Sequence, residues 1–169
     1  MAEIVNKVAT SGIVTLDLEE FYPQGERVVF DLTPLLWQEV ALKEDDLRAF
    51  AKEHDWSQYK GKFVSVHCSA DAIIPTWAYM LVATHLQPFA AFVTQGGADQ
   101  LERAAFTRFV QQLDVGPYRS ARVVVKGCSK VPVPLNAYVE LSARLVPVVK
   151  SLMFGEPCST VPLYKAPKV

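Results

Sequence analysis

Three cysteines, Cys68, Cys128 and Cys158, are each followed by a serine. Thiolates are soft ligands that select zinc, cuprous ion or an iron–sulfur cluster over magnesium or calcium. Hydroxyls and backbone N–H groups beside such sulfurs stabilise them at a metal. Three sulfurs leave one coordination position open, for water, substrate, Asp71 or His67. The residue types therefore predict a zinc or iron–sulfur site on Cys68, Cys128 and Cys158, with Asp71 as the nearby carboxylate. No C-x-x-C pair occurs, and the spacings match no finger, ribbon or ferredoxin pattern.

The same cysteines support two other readings. Free cysteine is among the most buried residue types and often packs as a small hydrophobe. Alternatively, Cys68 lies just before a helix opening near Pro75, whose positive dipole end favours a thiolate nucleophile. Such a nucleophile needs a base within hydrogen-bond reach, which Asp71 would orient. His67 is a poor base because successive side chains of a strand point to opposite faces. His54 is expected to cap or follow a surface helix, and His85 to sit late in a buried one. Asp71 also fits a plain Asx turn or cap. Asp17, Glu19 and Glu20 read as a solvated edge, and Trp77 and Tyr79 as core packing. Gly96-Gly97 is too short for a phosphate loop, and neither G-x-G-x-x-G nor a lysine-bearing P-loop occurs.

The elements that position these residues follow from periodicity. Ile13–Leu18 and Arg27–Asp31 read as short strands within an extended segment of about residues 1–40, and Leu35-Leu36-Trp37 as an apolar cluster against the core. Leu42, Leu47, Phe50 and Ala51 recur at helical intervals, giving a helix over about 43–53. Lys62–Cys68, Ala90–Thr94 and Arg122–Lys126 are strands, each followed by a helix: about 75–86, one opened by an Asp99/Glu102 capping box, and about 136–153. Pro147 should kink or end the last helix. Successive strand–helix units predict parallel strands with right-handed crossovers. The expected fold is a single α/β domain over residues 1–169, with a mainly parallel or mixed sheet and helices packed on it. Parallel strands gather their carboxyl ends at one edge, where ligands bind. Cys68 and Cys128 should share that edge. A helix to residue 153 would return Cys158 to the opposite one.

Composition bounds the setting. Half of the 169 residues are hydrophobic and 21% are charged, which suits a closed core. A formal charge of −1 supplies no net field for displacing counterions, so nucleic acid is not an expected partner. No apolar run is long enough to span a bilayer, and the first residues lack the pattern of a secretory signal. The expectation is a cytoplasmic protein with reduced thiols.

The chain resembles an uncharacterised family of small bacterial proteins, chiefly from Bacteroidetes, catalogued as a domain of unknown function. The resemblance runs through Glu3–Ala9, His54–Ser57, Cys68–Tyr79, Lys126–Ser129 and Gly155–Pro162, and covers nearly the whole chain. It implies no activity and transfers no catalytic residue. It does imply proximity to iron–sulfur assembly genes, and hence assembly proteins as partners. The expected function is a metal- or iron–sulfur-binding accessory protein. The alternatives are a structural or protein-interaction module without cofactor, self-associating as a homodimer, and a cysteine-dependent enzyme.

Overall fold

In the computed structural model, residues 12–127, 130–156 and 158–168 are described. Cys128, one of the expected ligands, lies outside them. The chain forms two compact units, one of Gln24–Ala105 and one that runs to Pro23 and resumes at Phe106. Each has its own sheet. The α/β class, mainly parallel pairing and helices packed on the strands agree with the sequence expectation.

In the Gln24–Ala105 unit, β2 (Arg27–Asp31), β3 (Phe63–His67) and β4 (Phe92–Gln95) pair in parallel in that order. Helix α1 (Glu44–Glu53) buries Leu47 and Ala51, and its first turn holds Glu44, Asp45 and Asp46, where acidic side chains oppose the positive helix end. Helix α2 (Thr76–Leu86) buries Ala78, Val82 and Leu86, one residue per turn. Phe30, Leu32, Val64 and Val66 complete this core. Trp56 lies within it, stacked at 5.5 Å on Phe30 and 5.1 Å on His85, with its indole N–H donating to the Ala51 carbonyl at 2.8 Å. His54 is the residue that ends α1, as expected. Leu35 and Leu36 pack against the core. Trp37 does not: the residue is 44% exposed, with the Lys43 ammonium 4.2 Å over its ring, and a cation over the ring face offsets that exposure.

Ser65 is fully buried on β3, and its hydroxyl has no hydrogen-bond partner among the described residues. An unpaired buried hydroxyl costs on the order of 1 kcal/mol or more. Ser65→Ala is expected to raise the urea midpoint by an amount equivalent to about 1 kcal/mol. An unchanged or lower midpoint would show that the hydroxyl is satisfied.

Helix α3 (Ala98–Gln112) carries the chain from one unit into the other. At its start Asp99 is already a helical residue, and Gln100, not the expected Glu102, makes the cap contact. The Gln100 side chain folds back to accept from the Gly97 N–H at 3.0 Å, and Glu102 pairs with Arg27 at 2.6 Å.

In the second unit, β1 (Ile13–Asp17), β5 (Arg122–Lys126), β6 (Ser151–Glu156) and β7 (Ser159–Lys165) form one sheet in that order. The first three strands are parallel and β7 is antiparallel to β6. Helix α4 (Leu135–Leu145) crosses from β5 to β6 and buries Ala137, Leu141 and Leu145 against Leu16, Val123, Val125 and Leu152. The helix expected to reach residue 153 therefore stops eight residues earlier. Pro147 follows its end, and Leu152, Met153 and Phe154 enter a strand because sheet pairing outweighs weak helical periodicity. Asp17 and Glu19 are also not a simple solvated edge: Asp17 pairs with Lys126 at 3.5 Å and Glu19 accepts the Lys130 backbone N–H at 2.7 Å. No helix among the described residues is long and apolar enough to cross a membrane.

Candidate functional site

Cys68 follows β3 at the carboxyl edge of the β2–β3–β4 sheet, half-buried. Its neighbours are arranged by Asp31, the last residue of β2. One Asp31 carboxylate oxygen accepts the backbone N–H groups of Thr33 at 2.9 Å and Ser69 at 3.1 Å, and the other accepts the Ser69 hydroxyl. The Thr33 hydroxyl oxygen accepts the N–H groups of Ser69 and Ala70 at 3.1 and 3.2 Å, and bonds the Ser69 hydroxyl at 3.0 Å. Partial burial pushes the Asp31 carboxyl upward. The hydrogen bonds from Ser69 and Thr33 outweigh that and hold it well below the usual carboxylate range.

The serine after Cys68 is thus a clasp between two strand ends, with its hydroxyl directed to a carboxylate. Cys68 Sγ lies 3.6 Å from the Thr33 hydroxyl and donates to the Ala70 carbonyl at 3.6 Å. Neither partner is a base. His67 is next along the strand, on the other face, with Nε2 3.9 Å from where a Cβ on Gly97 would stand. Tyr79 packs nearby, its phenol pushed up by burial and by Cys68. Asp71 is exposed in the segment that follows. Asp31 and Thr33 were not singled out from sequence, although an Asp two residues before a Thr-Pro is the signal of an Asx turn.

Cys68 and Asp71 belong to the Gln24–Ala105 unit and Cys158 to the other. Among the described residues, no group of three or more His, Cys, Asp or Glu side chains is placed to hold a metal ion. Cys158 is exposed in the turn between β6 and β7. Since β6 is parallel to β5, with Val125 opposite Phe154, this turn lies at the same sheet edge as Gly127. The expected opposite-edge placement of Cys158 is corrected with the helix that implied it. Iodoacetamide under native conditions is expected to modify Cys158 at least about ten times faster than Cys68, as read by peptide mass mapping. Equal rates would contradict the half-buried, hydrogen-bonded placement of Cys68.

A second feature, absent from the sequence reading, lies in the β1–β5–β6–β7 unit. A groove of about 560 Å³ opens between α4 and the β6–β7 hairpin, lined by Val125, Val133, Tyr138, Phe154, Val161 and Leu163 among others. Phe154 meets the Tyr138 ring edge-on at 5.9 Å. Gly127 lets it lie there, because a Cβ at that position would stand 3.1 Å from the phenyl ring. Around the groove, Leu135 is 76% exposed, Val139 62%, Val161 58% and Leu163 53%. With Phe154 they form an exposed apolar surface of the kind that is often functional. β7 is an edge strand, and Pro162 within it removes a donor and blunts strand addition. The face, not the edge, is what this hairpin offers. Its clues were Pro147 and Gly155, which break the helical reading between residues 146 and 156.

No curated protein and no solved structure matches this chain. The family described as "protein of unknown function (DUF2480)" matches it over residues 2–166, and the chain belongs to that family.

Proposed function

We propose that this protein is an interaction module that binds a protein partner on the apolar groove between α4 and the β6–β7 hairpin, without a resident cofactor. The observation that carries this reading is the convergence of Leu135, Phe154, Val161 and Leu163, all exposed, on one groove, with Val139 exposed further along α4. Burying such side chains against a partner supplies roughly 25 cal/mol per Å² before the costs of association. A photo-crosslinking amino acid at Leu163, in living cells, is expected to give a discrete protein adduct that is lost when Phe154→Asp is added. The same residue at Met80, equally exposed on α2, should give none. Free chain alone at position 163, or matching adducts at both positions, would sink the proposal.

A second reading retains thiolate chemistry, with zinc or an iron–sulfur cluster and with iron–sulfur assembly proteins as partners. It is supported by the parallel pairing of β5 and β6, which brings the Cys158 turn to the edge that Gly127 occupies; Cys128 follows Gly127 in the chain. Elemental analysis of anaerobically purified protein is expected, on this reading, to find near-stoichiometric zinc or iron that Cys158→Ser removes. Metal-free protein that stays colourless after reconstitution would dismiss it.

A further inference from the structure

We infer that the groove's partner is an acidic amphipathic helix, seated with its apolar face between α4 and the β6–β7 hairpin. The inference rests on the groove being a docking site and names what docks. Size excludes the smallest occupants. A groove of about 560 Å³ is nearly four times a cavity of ~150 Å³ that takes one benzene. A ligand filling it would still leave Val139, exposed on α4 outside the lining, in water. A surface with three or four apolar anchors covers the groove and Val139 together, and anchors at i, i+3 or i+4 and i+7 are what one helix face presents. An extended segment is the poorer fit because Pro162 interrupts the edge strand to which it would add.

Charge selects the sign. The groove-bearing unit carries 10 basic and 7 acidic side chains, net +3, whereas the Gln24–Ala105 unit carries 7 basic and 11 acidic ones, net −4. The chain's near-neutral total conceals this division. Among the described residues the groove lining holds no charged side chain, so the unit's field acts on whatever flanks the anchors. Lys130, exposed beside the lining residue Val131, is one cation at its margin. A second copy docking by a two-fold axis would set +3 against +3, and like-charge juxtaposition selects against it. An acidic partner is attracted instead, chiefly through a faster encounter, and the attraction is screened by salt.

The test uses the full chain and two synthetic helical peptides of about 18 residues, with identical leucines at i, i+4, i+7 and i+11. One has glutamate over the rest of its surface and the other lysine. Fluorescence anisotropy at low salt is expected to show the glutamate peptide binding about ten-fold tighter or more. The gap should narrow at about 0.5 M salt and shrink with Lys130→Glu. Both Val161→Asp and the milder Leu135→Ser should weaken binding while circular dichroism stays unchanged. Equal affinities, or tighter binding of the lysine peptide, both still sensitive to Val161→Asp, would overturn the acidic partner and leave the docking site standing. No binding of either peptide would overturn both. Concentration-dependent dimerisation abolished by Leu135→Ser would give the groove to a second copy and overturn the inference as well.

Discussion

Gly155→Ala is expected to destabilise the β1–β5–β6–β7 unit by on the order of 3 kcal/mol and to abolish binding at the groove. Gly155 sits inside β6 at φ 122°, a conformation in which an L side chain is strained. Space makes matters worse: a Cβ there would stand 2.6 Å from the Ser159 carbonyl oxygen, and that oxygen belongs to backbone paired in the same hairpin. Neither atom can swing away as a flexible side chain would. Relief requires Gly155–Thr160 and Glu156–Ser159 to separate, and the hairpin then frays from its turn. Phe154 and Val161 are the adjoining pair and form one wall of the groove, so function is lost with the fray. Thermal unfolding and peptide anisotropy should fall together. A stable variant that still binds would mean that the groove does not depend on the hairpin geometry.

That glycine also explains what could and could not be read in the chain. Strands β2, β3 and β5 are short valine-rich runs, and periodicity finds them within a residue. Helix α2 was legible because Pro75 ends the extended segment before it. The Ser151–Lys165 region was not legible as sheet. Its first half continues apolar spacing from α4, and its second half contains Pro162, which usually argues against a strand. The pairing of β6 with both β5 and β7 is a non-local fact. Short windows hold no trace of it, and the groove exists only once that pairing does.

The division of strands between two sheets was hidden for a related reason. Each β–α–β step has the same local pattern, and nothing in α3 marks that β4 and β5 lie in different sheets. The repeated Cys-Ser pairs were visible at once, yet at Cys68 the serine clasps two strand ends: its hydroxyl donates to the Asp31 carboxylate. A dipeptide shows which groups are available, while the partner on the next strand decides their use.

Asp31→Asn is expected to cost about 2 kcal/mol at neutral pH and to do so in a pH-dependent way. The wild-type carboxylate accepts hydrogen bonds from the Thr33 and Ser69 backbone N–H groups and from the Ser69 hydroxyl. Asparagine keeps one accepting oxygen and turns an NH₂ group toward donors. The sign follows from the depressed acidity of Asp31, whose folded-state carboxyl ionises more readily than in the unfolded chain. Its contribution is fully present above the ordinary aspartate value near about 4 and is lost as pH falls through that value toward the folded one. Urea midpoints of the two proteins should therefore differ most above about pH 5 and converge toward about pH 2. A constant gap across that range would mean that Asp31 contributes through shape alone. The same substitution releases Thr33 and Ser69 from the β2 end, and with them the loop that covers Cys68. Iodoacetamide should then modify Cys68 several-fold faster, approaching Cys158, with Cys158 itself unchanged. The stability loss and the gain in Cys68 reactivity are two readings of one clasp: if reactivity rose without any loss of stability, the carboxylate would be positioning the loop and not holding the strand ends.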